Sequence, residues 1–189
     1  MKKYAVLILI LGFVNLCKSL EEKEKQPQVK KEGLSIKIRS IHVDNRSDKN
    51  SANISSEEIR SRLEALIKAI IQKDIKTVIS QVHKEVGAYA DIKAHMIYQN
   101  IAKEIDNSKG ILHIIFWKTD KLREKYPDIE ISSYQEIFSS THEIALDLFF
   151  FSKEECEIYL DFENRPPSGI LGNPIYHRID NRWYLKRIF

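Results

Sequence analysis

Cysteine is nearly absent from this chain: 189 residues carry only Cys17 and Cys156. No disulfide framework of the kind that staples small secreted domains can be built from that pair. Charge of one sign is also missing. Thirty basic residues face 27 acidic ones for a net +3, and both signs alternate along most segments. Nucleic-acid binders concentrate Lys and Arg on one face, so an anionic polymer is not expected as a partner. No apolar run reaches the roughly 20 residues that a membrane-spanning helix needs. The serine-hydrolase Gly-x-Ser-x-Gly, the dinucleotide Gly-x-Gly-x-x-Gly and the Walker loop do not occur. The histidines show no His-x-x-x-His pair, and no Cys/His/carboxylate cluster reads as zinc ligands. The pattern therefore predicts no metal, no cofactor and no recognisable catalytic residue. What remains is 43% hydrophobic and 30% charged, a globular composition.

The first residues carry a clear pattern. Lys2 and Lys3 form a positive start, and Tyr4 to Leu16 is an almost unbroken apolar stretch. That length suits a secretory signal over residues 1–16 better than a permanent span. A short buried helix is disfavoured by the charged segment that follows. Val14-Asn15-Leu16-Cys17 resembles the lipobox of bacterial lipoproteins, whose cysteine is acylated and becomes the new N-terminus. Val14 fits that box; Leu16 departs from its usual Gly, Ala or Ser. The competing site is ordinary cleavage after Ser19, which implies a soluble periplasmic or secreted product. Lipidation at Cys17 implies an exported envelope protein anchored to the membrane, with net charge reduced to +1 once Lys2 and Lys3 leave. Cys156 then stands alone. Glu154, Glu155 and Glu157 around it disfavour a thiolate, which points to an inert residue.

Residues 17–53 read as an anchored linker. Positions 18–33 mix charges with almost no apolar content and cannot repay the entropy of ordering. Leu34 to Val43 alternates and predicts a possible short edge strand, followed by a polar loop over 44–53. The folded body is expected over 54–189. Ser55 and Glu58 have capping-box spacing, with Ile54 and Ile59 as a staple. Ile59, Leu63, Leu66, Ile67, Ile70 and Ile71 then share a helical face. Ile75 to Val82 predicts a second helix, and Asp91 caps a third through Ile105 that ends at Gly110. The continuous apolar run Ile111 to Trp117 reads as a strand. Ile144, Leu146, Leu148 and Phe150 share one strand face, Ile158, Leu160 and Phe162 another, and Ile175, His177 and Ile179 open a hairpin that turns at Asp180-Asn181-Arg182. Helices first and strands afterwards predict an α+β fold in a single domain.

That order resembles the nuclear transport factor 2-like superfold. The likeness rests on the helix run Leu66 to Ile75, the strand-like Val86 to Tyr89, the helix from Asp91 and the closing Ile179-Asp180-Asn181-Arg182-Trp183-Tyr184-Leu185. The resemblance implies N-terminal helices packed on a strongly curved antiparallel sheet, a cone with one mouth, with Thr119 to Ser140 as an insertion. Relatives of that kind include isomerases, cyclases and dehydratases beside many non-catalytic binding modules, so fold does not decide activity.

Two functions are therefore expected in competition, with a purely structural or assembly component as a third reading behind them. The first is a non-catalytic module holding a small apolar ligand or an envelope protein. The second is an isomerase- or cyclase-type enzyme using an inward carboxylate opposed by a tyrosine. Asp147, framed by Ala145 and Phe149, is the candidate inward acid; Tyr89, His95 and Tyr98 are candidate ligand-binding groups. Asp161 and Tyr159 share a strand face that can equally point to solvent. His113 inside an apolar run reads as a core histidine satisfied by its neighbours.

Overall fold

The computed structural model describes residues 34–44, 49–90, 94–163 and 171–189, with main chain alone at 49–51, 53 and 54. The leader, the tether, Asp91 and the Arg165–Gly169 turn lie outside the described residues. Alternation in Ile36 and Ile38 makes β1 (Ser35–Val43), which lies at one edge of the sheet. Because β1 is paired along its length, the folded body takes in residues well before position 54.

The helix expected from Ser55 starts earlier. Helix α1 runs Lys49–Gln72, and Ser55 is buried inside it rather than capping it. The cause is Ala52, which sits in phase with Ile59 and Leu63 and joins the same buried face. Glu58 accepts instead from Arg62 Nε at 3.3 Å and from the Trp183 amide at 3.5 Å. Lys73 takes the left-handed φ of 58° that ends α1. Asp74 caps α2 (Ile75–Ser80) through the Thr77 amide at 3.2 Å and hydroxyl at 2.7 Å.

Gly87, at φ 74°, leads into β2 (Ala88–Tyr89), which pairs with β3 (His95–Met96). The third helix, α3 (Tyr98–Asp106), begins after β3 and has no side-chain cap. Its buried residues are Ile101 and Ile105.

Residues 111–117 form a helix, not the expected strand. In α4 (Ile111–Trp117) Leu112, His113, Phe116 and Trp117 are buried, a one- and four-residue spacing that only a helix produces. An unbroken apolar run carries no period, so the sequence pattern is blind here. The segment expected as an insertion holds α5 (Thr119–Lys125) and α6 (Tyr134–Ser139), the latter capped by Ser133 accepting from the Glu136 amide.

The long strands are β4 (Glu143–Ser152), β5 (Glu155–Phe162), β6 (Ile175–Ile179) and β7 (Arg182–Arg187). Among the described residues the seven strands form one open sheet in the order β1-β4-β5-β6-β7-β2-β3. It is mixed rather than antiparallel. The β4-β5-β6-β7 centre is antiparallel, while β1 runs parallel to β4 and β2 parallel to β7. Ile144, Leu146, Leu148 and Phe150 all face the core as expected. An extra residue in β1 at Arg39 shifts its register, so Ile41 and Val43 regain the side that Ile36 and Ile38 occupy. In β6 the buried face belongs to Tyr176 and not to Ile175 and His177. The final hairpin turns at Asp180 and Asn181, both at positive φ, the geometry a two-residue primed turn requires. Residues from α1 to α4, α6 and six of the strands share one core with Trp183, Tyr176 and Phe116 among its largest members. The fold is α+β, and no helix among the described residues is long and apolar enough to cross a membrane.

Candidate functional site

A helix that is apolar all round has more greasy surface than one core contact can cover. Helix α4 is in that position. Its inner side is fixed: Trp117 Nε1 donates to the Ile70 carbonyl at 2.9 Å, and the His113 ring donates to Ile105 oxygen at 2.8 Å. Phe116 packs edge-on against Tyr134 at 5.1 Å, and the Tyr134 hydroxyl donates to the Phe189 carbonyl at 2.9 Å. Ile111 is left on the other side and remains 40% exposed, while Ile115, four residues on, is half-buried between the core and that side.

The next segment is folded over that side. Pro127 follows Tyr126 and prevents α5 from continuing. The returning segment of the loop is then pinned to α5. Arg123 Nε donates to the Ile131 carbonyl at 3.2 Å, and its Nη2 donates to Glu136 at 3.3 Å. Thr119 Oγ1 donates to Ser133 Oγ at 2.9 Å and accepts from the Ser133 amide at 3.0 Å. The result is a groove of about 330 Å³. Ile111 and Ile115 come from α4, Leu122, Lys125 and Tyr126 from α5 and its end, and Ile129 and Ile131 from the loop. Ile129 stays 50% exposed although it is one of the most apolar side chains. Lys125 is the one charged lining residue; its ammonium stands 5.5 Å from the Tyr126 ring centroid.

The residues expected to bind ligand do not gather at this groove. Tyr89 and His95 do meet, opposite one another on β2 and β3 with rings 4.9 Å apart and edge-on. The His95 ring donates to the Val86 carbonyl at 2.9 Å. Tyr98 opens α3 and is half-buried against the core. Asp147 is elsewhere: β5, β6 and β7 separate its strand from β2.

Asp147 also points away from the core, contrary to the expectation that it faces inward. Its neighbours Leu146 and Leu148 occupy the buried side, which forces the intervening side chain out. There it accepts from Arg39 Nε at 3.0 Å and from Ser40 Oγ at 2.6 Å, and Arg39 also pairs with Asp161. The hydrogen bonds from Arg39 and Ser40 lower its pKa to about 2. Asp161 and Tyr159 are on the same exposed side, where Tyr159 lies edge-on to Phe149 and Phe149 stacks on His42. The arrangement is an ion-paired and aromatic outer face.

Cys156 is buried, and its thiol is pushed up to about 12 first by burial and only last by Glu157. Among the described residues no three His, Cys, Asp or Glu are grouped to hold a metal ion. The groove residues escape sequence reasoning because α4 reads as a strand. No period within Ile111 to Trp117 could have found them; the remaining signal is Leu122 and Tyr126 at four-residue spacing just before Pro127. Comparison with protein-family models, curated proteins and solved structures yields no match to this chain.

Proposed function

We propose that this chain is an exported, lipid-anchored, non-catalytic binding module whose α4–α5 groove holds an apolar group. The observation that carries the reading is the groove itself. Its volume of about 330 Å³ falls within the ~300–1,000 Å³ of small-molecule sites, and its lining is mainly aliphatic with a few polar atoms. Leaving Ile111, Tyr126 and Ile129 exposed around one concavity costs solvation that an occupant recovers.

Export and anchoring rest on the sequence: the Lys2-Lys3 start, the short apolar run and the lipobox-like Val14-Asn15-Leu16-Cys17. The nuclear transport factor 2-like, cone-like reading is supported by the helices that precede β4 to β7 and by the closing Trp183-Tyr184-Leu185 strand. The parallel β1–β4 edge departs from the antiparallel sheet that this resemblance implies.

The test is titration of the full chain with the neutral apolar dye N-phenyl-1-naphthylamine, read by fluorescence. Saturable enhancement is expected, with at least tenfold weaker binding in Ile129→Asp, a substitution at a half-exposed position that leaves the core alone. Enhancement that is absent, or unchanged by that substitution, removes the groove as the site.

A further inference from the structure

The lining of the groove carries information about the head of its occupant as well as the tail. Within α5 the neighbouring cations are committed. Lys121 pairs with Glu124 at 2.7 Å, and Arg123 is held by the Ile131 carbonyl and Glu136. Lys125 has no ion-pair partner among the described residues, although its stem lines an otherwise uncharged surface. The Tyr126 ring face steadies the ammonium without neutralising it. A long side chain in this position lays its methylenes on the apolar wall and keeps its charge at the mouth. The volume sets the size of the tail. An engineered apolar cavity of ~150 Å³ admits one benzene ring, so a groove of about 330 Å³ covers about a dozen carbon atoms, the size of one aliphatic chain. The charge of the head is bounded as well. Asp128 and Glu130, exposed on either side of Ile129 in the chain, disfavour a head with two negative charges.

Resting on the groove reading above, we propose that the occupant is a single-chain aliphatic monocarboxylate, its tail against Ile111, Ile115 and Ile129 and its carboxylate paired with Lys125. The anion supplies the counter-charge that Lys125 lacks, and the chain covers the exposed isoleucines. No covalent step is involved.

Displacement of N-phenyl-1-naphthylamine from the full chain tests the head and the groove separately. The competitors are dodecanoate, dodecan-1-ol, dodecylammonium and dodecyl phosphate. Dodecanoate is expected to compete at least tenfold better than the alcohol and better still than the ammonium. Lys125→Met is expected to erase the gap between carboxylate and alcohol, Lys125→Arg to retain it, and Lys121→Met to leave it unchanged. Equal competition by carboxylate and alcohol in the unaltered chain overturns the assignment of the head while the groove stands. Stronger competition by dodecyl phosphate also overturns it. Competition by none of the four, with no dye bound, removes the groove reading and the inference together.

Discussion

Asp147 shows how a single side chain can be assigned by its partners. Its carboxyl is held near pH 2 by Arg39 and Ser40, below the ~3.9 of an unfolded aspartate. A depressed folded-state pKa stabilises the fold fully above pH ~4, and that contribution is lost as pH falls through about 2. Asp147→Asn is therefore expected to flatten the acid limb of stability between pH ~4 and 2, measured by urea unfolding at successive pH values. A limb of unchanged slope removes Asp147 from the account. Cys156 gives a second residue-scale expectation. With its thiol pushed to about 12 by burial, alkylation at pH 8 should be two to three orders of magnitude slower in the folded chain than in urea, read at the Cys156 peptide by mass spectrometry. The Tyr176 hydroxyl is fully buried without a partner among the described residues. Removing a buried polar atom that makes no bond is nearly neutral, so Tyr176→Phe should leave stability within about 1 kcal/mol or raise it. A loss of 2 kcal/mol or more in chemical unfolding contradicts that reading.

At the scale of elements, what the sequence discloses depends on whether a segment has a period. Strand β4 alternates large apolar residues with the smaller or polar Ala145 and Asp147 over Ile144 to Leu148, and the structure buries the side that the pattern marks. The β6–β7 hairpin is legible from Asp180-Asn181, because few residue types accept the positive φ that both adopt. Helix α4 is not legible, since seven residues with six large apolar side chains fit either period. The groove inherited that blindness, because its walls depend on α4 being a helix and on Pro127 turning the chain back. The early start of α1 was hidden for a different reason. A good capping sequence at Ser55 is overridden when the preceding turn contributes a buried Ala52. Direct tests exist for two of these elements. Phe116→Ala should cost about 3–5 kcal/mol, as truncation of a fully buried aromatic does; a cost below 1 kcal/mol would mean that α4 does not face the core. Gly87→Ala adds a strained φ and a Cβ that meets the Met96 carbonyl at 2.2 Å, so β2–β3 must shift.

At the scale of the whole molecule, the proposed anchor and the proposed groove bear on one another. A free amphiphile is scarce in water and abundant at membranes, so a binding module for one gains from a short leash to the bilayer. The chain between Cys17 and β1 has the composition of such a leash: Lys18 to Gly33 interleaves charges and contributes little to bury. Sixteen residues reach at most ~55 Å when extended, the reach that the proposed anchor would give the body. One acyl chain alone binds a bilayer marginally, whereas two or three anchor it stably at about 0.8 kcal/mol for each buried methylene. The expected product in a bacterial host is therefore a chain starting at Cys17 that carries acyl mass on its sulfur and amine and sediments with membranes. Cys17→Ser should release it to the soluble fraction while leaving dye binding by the groove intact, because the anchor and the groove share no residue. A mature chain beginning at Leu20 without added mass would mean cleavage after Ser19. It would separate the binding function from the membrane altogether.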